Sequence, residues 1–244
     1  ICACLVGSEM CIRDSNMNEG IFADEEIRKC ALMAIDCEAA ALAAYGEKEL
    51  FNIDPNLGNP ENARWATDAG KKYFNQADAK AAKKALAKTS YAGETVKLLT
   101  TPDYKDMYNA TVALQEQLEK AGFTAEVDSY EFATFMDIRS GKPEQWDLFV
   151  ASTNYKPIPA QSLSVSKAFY GLSDEKALKL VAETRTAKDT DAAAKKWAEA
   201  QERLYEIAVI EPLCHYASIT GTQADVEDVE VLDGAIVWNA KRPE

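Results

Sequence analysis

The chain has 244 residues, of which 47% are hydrophobic and 27% charged, and its formal net charge is −13. A composition of this kind is ordinary for a globular protein with one large domain or two small ones. The negative charge disfavours nucleic acid and anionic lipid as partners, and the sequence contains no apolar run of eighteen residues, so no membrane-spanning helix is expected.

The first fifteen residues, ICACLVGSEMCIRDS, show neither helical nor strand periodicity and do not begin with methionine. They resemble the peptide obtained when sequencing-adapter DNA is translated at the edge of a reading frame. We therefore expect residues 1–15 to be a non-native segment or, alternatively, a native disordered arm, and in both cases to lie outside the fold. On the first interpretation the chain is a C-terminal fragment, and the absence of an export signal says nothing about its compartment.

A long helix is predicted from Asp24 onward, because acidic residues favour the first turn and apolar residues then recur every three or four positions up to a stop at Gly46. Residues 51–70 form a loop whose apolar side chains, including Trp65, need somewhere to pack. A second helix follows, with Asn75 as its predicted cap and AKAAKKALAK as its body.

The middle of the chain alternates between strands and helices. Strands are predicted at 95–101, 123–130 and 146–151, separated by helices at 107–121 and 131–139. This order implies parallel neighbouring strands joined by crossovers, as in α/β folds. The remaining predicted elements are helices at 174–185 and 190–208, followed by strands at 213–219, 226–232 and 235–238.

The single histidine, His215, lies in an apolar run that follows a proline. That setting favours a structural histidine on a strand over a catalytic or metal-binding one. The sequence contains no nucleophile-elbow, phosphate-loop, dinucleotide-binding or zinc motif, and its cysteines lack metal-ligand spacing. Because catalysis needs a positioned acid, base, nucleophile or metal, we predict that the chain is not an enzyme and uses no cofactor.

Hydrogen-bonding side chains directly follow the predicted strand 146–151; they are Ser152, Thr153, Asn154, Tyr155 and Lys156. In open α/β sheets, ligands bind beyond the carboxyl ends of parallel strands. Two prolines stiffen this loop, which lowers the entropy lost when a ligand is held. The pattern indicates either a ligand site or a polar surface loop without a ligand, and composition alone does not separate the two.

Five segments carry a resemblance to a known family through their order and spacing. They are ADEEIRKCALMAIDCEAAALAAYG (23–46), KKYFNQADAKAAKKALAKTSYAG (71–93), ALQEQLEKAGFTAEVDSYEFATFM (113–136), WDLFVASTNYKP (146–157) and AQERLYEIAVIEPLCHYASI (200–219). Together they resemble family 5 of the extracytoplasmic solute-binding proteins, which are the oligopeptide and dipeptide receptors of ABC importers. Each segment alone is a weak signal, whereas the set spans most of the chain.

The resemblance implies an α/β fold of the type II periplasmic-binding-protein class, in which two lobes close on a solute. Residues 16–209 would form most of the second lobe, and residues 210–244 would supply strands that cross back to an incomplete first lobe. Residues 152–156 would then face the cleft, while Trp65 either approaches the cleft or anchors the core. The implied partners are a peptide-like solute and ABC permease subunits, and the implied location is periplasmic or extracellular and membrane-anchored, without membrane insertion of this fragment.

One departure from the family concerns the ligand's charge. The family's peptide receptors carry an aspartate in the strand-end loop, which pairs with the α-ammonium of the ligand. The corresponding loop here, TNYKPIP (153–159), contains no acidic residue. An ammonium buried without a partner is costly, so this loop is not expected to hold a peptide N-terminus, and Lys156 instead offers a cation to a carboxylate.

The sequence therefore predicts a solute-binding subunit that captures a peptide or peptide-like solute. Two alternatives stay open. The first is an α/β enzyme domain in which an acid or base from the loops at 101–106, 131 or 152–159 meets His215. The second is a receptor lobe with an interaction role only.

Overall fold

The computed structural model describes the backbone of residues 2–163, 166, 171–222 and 241, and the side chains of residues 9–163, 166, 171–216 and 241. In this part of the chain a mixed sheet has the strand order β2-β6-β1-β5-β3-β4. The strands are β1 (Cys2–Ser15), β2 (Phe51–Asn52), β3 (Thr95–Thr100), β4 (Thr124–Ser129), β5 (Leu148–Asn154) and β6 (Ile210–Thr222).

Strand direction divides the sheet into two parts. β3 is parallel to both β4 and β5, as the alternation of strands and helices in the sequence predicts. β1 instead runs antiparallel to β5 on one side and to β6 on the other. The carboxyl ends of β3, β4 and β5 consequently meet at one edge of the sheet, and β6, which is parallel to β5, points toward the same edge.

Seven α-helices are found in the described residues: α1 (Glu25–Ala34), α2 (Cys37–Tyr45), α3 (Ala79–Leu86), α4 (Lys105–Lys120), α5 (Phe132–Gly141), α6 (Glu175–Thr186) and α7 (Thr190–Glu206). Aspartate side chains accept hydrogen bonds from first-turn backbone N–H groups at the start of five of them. Such caps satisfy donors that have no partner inside the helix.

Two helix boundaries differ from the prediction. The expected continuous helix up to Gly46 is two helices, because Ile35 is extended and the Asp36 side chain accepts from Ala39 N, which starts a new helix. The cap of α3 is Asp78 and not Asn75. Asn75 instead has a positive φ of 46° and accepts a hydrogen bond from Cys37 N at 2.9 Å, so it joins the α3 turn to α2.

The expectation that residues 1–15 lie outside the fold is corrected by β1. Cys2–Ser15 forms a strand near the middle of the sheet, and every residue from Met10 to Asn16 is buried. A strand with neighbours on both sides and helices on both faces is buried throughout, so it lacks the alternation by which strands are predicted. The proposed lobe boundary between residues 209 and 210 stays a prediction, and the strands predicted at 226–232 and 235–238 lie outside the described residues.

Two hydrophobic clusters lie on opposite faces of the sheet, as β5 makes clear. Phe149 and Ala151 pack in a cluster with α5, α6 and α7, whereas Leu148 and Val150 pack in a cluster with α1, α2, α3 and α4. Successive strand residues point to opposite faces, so the sheet is a middle layer between two helical layers. No helix in the described residues has the length and apolarity needed to cross a membrane.

Asp147, directly before β5, connects this strand to β3 and to the segment at Ile21. Its side chain is buried and accepts hydrogen bonds from Lys97 N at 2.8 Å and from Ile21 N at 3.2 Å. Burial raises the pKa of this carboxyl above its usual range, and the two backbone donors work in the opposite direction.

An Asp147→Asn substitution should lower the free energy of unfolding by about 2 kcal/mol, because an amide offers one acceptor oxygen and turns its NH₂ group toward the other backbone donor. Urea unfolding would measure the loss. The exposed Asp137 on α5 offers the matched control Asp137→Asn, which should change stability little. Equal stability of the two variants would contradict a clamping role for Asp147.

Candidate functional site

The polar stretch after residue 151 begins inside the sheet. Ser152, Thr153 and Asn154 belong to β5, which is longer than predicted because β1 supplies pairing partners as far as Asn154. Ser152 and Asn154 are exposed and Thr153 is half-buried, so the first two lie on one face of the strand and Thr153 on the other. Lys156, just beyond the strand, is exposed.

The loop after β5 folds back on Ser162. Thr153 Oγ1 donates to the Ser162 carbonyl oxygen at 3.0 Å, and Lys156 N donates to Ser162 Oγ at 2.9 Å. Pro159 is buried at the base of the loop. These contacts give the predicted site residues a defined backbone while leaving the charged end of Lys156 in solvent.

Tyr155 contacts the one histidine of the chain. Its hydroxyl group is hydrogen-bonded to His215 Nδ1, and the two rings are stacked with centroids 5.9 Å apart. The other ring nitrogen, Nε2, lies 3.1 Å from the carbonyl oxygen of Asp54. His215 is 3% exposed, and this burial lowers the pKa of its ring. The loop after β5, strand β6 and the segment at Asp54 therefore meet through one imidazole.

Exposed aromatic side chains occupy the ends of the two neighbouring strands. Tyr104 follows β3, and Tyr130 and Phe132 follow β4; they are 48%, 39% and 37% exposed. The rings of Tyr104 and Phe132 meet edge to face with centroids 4.9 Å apart, and Phe132 N donates to Asp103 Oδ2 at 2.7 Å. We call Tyr104, Tyr130 and Phe132 the aromatic edge. Large apolar rings held in solvent at a strand end are typical of a binding surface.

A groove of about 640 Å³ lies beside the loop after β5, and Trp65 is one of the residues that line it. The groove is lined by residues of three segments: Asn62, Ala63, Arg64, Trp65, Pro157, Ile158, Thr184, Arg185, Ala187, Asp189, Thr190 and Ala193. Trp65 is only 6% exposed and packs in the cluster under α6 and α7. It thus has the position of a core anchor, the second of the two roles considered for it, and contributes to the floor of the groove.

The segment that carries Trp65 is fastened to α7 by Gln201. Gln201 Oε1 accepts from Leu57 N at 2.9 Å, and its Nε2 donates to the carbonyl oxygens of Thr67 and Ala69 at 3.3 and 2.9 Å. Tyr205, one turn further along α7, donates its hydroxyl hydrogen to the carbonyl oxygen of Pro55 at 2.6 Å. An irregular segment of this length stays in place because buried side chains satisfy its backbone groups.

Residues 10–176 match the model of a protein family described as bacterial extracellular solute-binding proteins, family 5. The chain belongs to this family. Among curated proteins, the family 5 chain is 25% identical over 182 residues to the probable peptide ABC transporter periplasmic-binding protein of Sinorhizobium fredii, a match that covers 68% of the chain and 33% of that protein.

Solved structures agree with a family 5 fold of the type II periplasmic-binding-protein class. A dipeptide binding protein from Pseudoalteromonas in complex with Met-Leu has a TM-score of 0.76 and 20% identity, covering 98% of this chain and 49% of that one. A substrate binding protein from Microbacterium hydrocarbonoxydans complexed with 4-hydroxybenzoate hydrazide has a TM-score of 0.73 and 20% identity, covering 92% and 48%. The family 5 chain therefore spans between a third and a half of the length of these relatives.

In the family 5 chain, His215 does not have the surroundings of a catalytic base. Its two ring nitrogens are taken up by the Tyr155 hydroxyl and a backbone carbonyl, and not by a carboxylate from the loops at 101–106, 131 or 152–159. Among the described residues, no group of three or more histidine, cysteine, aspartate or glutamate side chains is placed to hold a metal ion. The arrangement suits a positioning role better than acid–base chemistry.

Sequence reasoning did not include the aromatic edge among the site residues of this family 5 chain. Phe132 was counted with the predicted helix at 131–139, and Tyr104 lay in the predicted loop at 101–106 between a strand and a helix. Their position directly after predicted strands was the signal that could have identified them, because parallel strands bring such residues to one edge. The predicted residues Ser152–Lys156 and the aromatic edge lie along that same edge of the sheet.

Proposed function

We propose that this chain is part of the solute-binding subunit of an ABC importer, and that it captures a peptide or peptide-like solute against the carboxyl edge of β3, β4 and β5. Permease subunits are its proposed partners, and the periplasm or the outer cell surface its proposed location. The subunit works by binding and lobe closure without chemistry, since a solute that contacts both lobes stabilises the closed form by its differential affinity.

The observation that supports this proposal is the aromatic edge beside the polar end of β5, in a chain of the solute-binding family. Tyr104 and Phe132 offer apolar faces for side chains of a solute, while Ser152, Asn154 and Lys156 offer hydrogen-bonding groups and a cation. No acidic side chain among the described residues forms an ion pair with the exposed Lys156, which is suited to a solute carboxylate. Trp65 supports the floor of the adjoining groove.

A peptide titration tests the proposal. Two-dimensional NMR spectra of the isotope-labelled chain would be recorded with dipeptides and tripeptides, and with free amino acids and monosaccharides for comparison. Because the chain spans about half of the solved relatives, weak binding with a Kd near 1 mM is expected, worth about −4 kcal/mol. Signals of residues 101–104, 130–132 and 152–156 should shift with the peptides.

A Phe132→Ala variant should weaken peptide binding about tenfold, which corresponds to about 1.4 kcal/mol for an aromatic contact. Leu42 on α2 is 41% exposed and provides the matched control, since Leu42→Ala removes as accessible an apolar side chain from another part of the surface. Shifts induced only by monosaccharides, or no localised shift with any peptide, would reject the proposed function.

A further inference from the structure

Two arginine side chains line the groove beside the loop after β5. Arg64 comes from the segment that carries Trp65, and Arg185 comes from the last turn of α6. Both residues are exposed at the surface of the groove. A guanidinium group is a planar cation with five N–H donors, and its geometry matches the two oxygens of a carboxylate. The groove therefore offers the chemistry that recognises an acidic group.

The topology places this groove at the same edge of the sheet as the proposed binding surface. β6 is parallel to β5, and α7 ends shortly before β6 begins, so the end of α7 lies where these strands start. The start of α7 and the end of α6 consequently lie at the opposite edge, where β5 ends. Pro157 and Ile158 agree with this position, because they line the groove and follow Lys156 in the loop after β5.

The two arginines keep donors for a solute. Nη2 of Arg185 donates to the carbonyl oxygen of Ala160 at 2.6 Å, which holds the guanidinium against the loop after β5 and uses one of its N–H groups. Among the residues that the structure describes, no acidic side chain forms an ion pair with Arg64 or Arg185. Most of their donors thus face the groove or solvent without a competing carboxylate.

Asp189 is the acidic residue that lines the groove, and its carboxylate has partners of its own. One oxygen accepts from Ala192 N at 2.8 Å at the start of α7, and the other lies 3.7 Å from Lys188 Nζ. The lining therefore carries an excess of positive charge, in a chain whose formal net charge is −13. Such a local reversal of sign favours an anionic group in this groove over other parts of the surface.

The remaining lining suits a small solute. The volume of about 640 Å³ is within the range typical of small-molecule sites. Trp65, Pro157 and Ile158 provide apolar contacts, and Thr190 provides a hydroxyl group. A few polar groups among apolar ones are the usual composition of a ligand pocket.

We propose that this groove binds the side-chain carboxylate of an acidic peptide-like solute through Arg64 and Arg185, so that the subunit prefers acidic to neutral solutes. The inference rests on the proposed function, because it names the solute class of the same binding edge. Lys156 lies between the groove and β5 in the chain, so a solute that spans both can place its terminal carboxylate at Lys156.

The preference is tested with the dipeptides Ala-Glu and Ala-Gln, which have nearly the same size and the same terminal groups. NMR titrations of the full chain would be run at about 20 mM salt, where charge attraction is little screened. Ala-Glu should bind about three- to fivefold more tightly, as expected for a solvated charge pair, and should shift the signals of residues 62–65 and 184–190. Equal affinities, or no shift of these signals by Ala-Glu, would overturn the proposal.

Three variants separate the groove from the net charge of the chain. In Arg64→Gln the preference for Ala-Glu should largely disappear while the affinity for Ala-Gln stays the same. Arg185→Lys keeps the charge but loses the planar fork, so its preference should be intermediate. Lys80 is exposed on α3, in the other helical layer, and the control Lys80→Gln removes the same charge without affecting the preference. Retention of the preference in Arg64→Gln, or its loss in Lys80→Gln, would contradict the role of the groove.

A probe without a peptide group distinguishes this inference from the proposed function. Glutarate should shift the groove signals, whereas neutral glutaramide should not, and equal effects of the two would reject a carboxylate site. If peptides bind at the edge but Ala-Glu and Ala-Gln do not differ, the solute-binding proposal stands and the role of the groove falls. If glutarate shifts the groove signals but no peptide binds, the carboxylate site stands and the peptide proposal falls.

Discussion

Replacing Arg28 by methionine should lower the free energy of unfolding by about 3 kcal/mol. Methionine cannot donate hydrogen bonds, so the buried backbone carbonyls that the guanidinium now contacts would be left unpaired. Arg28 Nη1 donates to the carbonyl oxygens of Phe22 and Ala23 at 2.6 and 3.1 Å, and Nε and Nη2 both donate to that of Ile207 at 3.2 and 3.1 Å. Burial lowers the pKa of Arg28 to about 10, so the guanidinium is charged at neutral pH. Urea unfolding would measure the loss.

Two further variants make the Arg28 result specific. Arg28→Lys keeps the charge but replaces a planar fork by a point donor, so its stability should fall between those of wild type and Arg28→Met. Arg64, whose side chain is exposed, offers the control Arg64→Met, which should change the unfolding free energy by less than about 0.5 kcal/mol. A wild-type-like Arg28→Met would show that the carbonyls find water instead.

Replacing Gln201 by leucine should cost about 2–3 kcal/mol and should loosen the segment that carries Trp65. Leucine has nearly the same volume, but it leaves Leu57 N–H and the carbonyl oxygen of Ala69 without their side-chain partner, and Leu57 is fully buried. Amide hydrogen exchange provides a local measurement, because the Leu57 amide should exchange much faster in the variant while amides of α4 change less.

The exposed Gln161 offers a matched control, since Gln161→Leu makes the same chemical change at the surface. Its unfolding free energy and the exchange rate of the Leu57 amide should stay close to those of wild type. If Gln201→Leu slowed or left unchanged the exchange of Leu57, the segment would be held by Tyr205 and its own packing, and Gln201 would be dispensable.

The parallel part of the fold was predictable from local patterns. β3, β4 and the four helices α4 to α7 lie within a few residues of their predicted positions, because each combines a clear apolar period with a capping or stop residue. The break between α1 and α2 was missed for a related reason. Apolar residues keep the helical period across the break, and only the side chain of Asp36, which caps α2, reveals it.

The antiparallel part of the sheet was not predictable in the same way. β1 is buried continuously from Met10 to Ser15, so its pattern carries no alternation from which a strand could be recognised. β5 continues to Asn154 only because β1 lies beside it, a pairing between segments more than 130 residues apart. Long-range pairing of this kind leaves no mark in a local window of sequence.

The candidate site was likewise predictable only in part from the sequence. The polar residues at the end of β5 were predicted, since their chemistry is visible in one short stretch. The contact between Tyr155 and His215 joins residues 60 positions apart, and the contact between Tyr104 and Phe132 joins two different loops. Apolar periodicity and capping residues report on residues that are close along the chain. They do not reveal contacts between side chains that only the folded sheet brings together.

The two halves of β5 lie in different surroundings. Its first four residues are buried between two helical layers, and a change there would be felt in both. Its last three residues are exposed or half-buried, so substitution of their side chains disturbs less of the interior. Substitutions at the end of this strand can therefore accumulate while the buried residues stay the same. A fold of this kind can change which solutes it prefers without first becoming less stable.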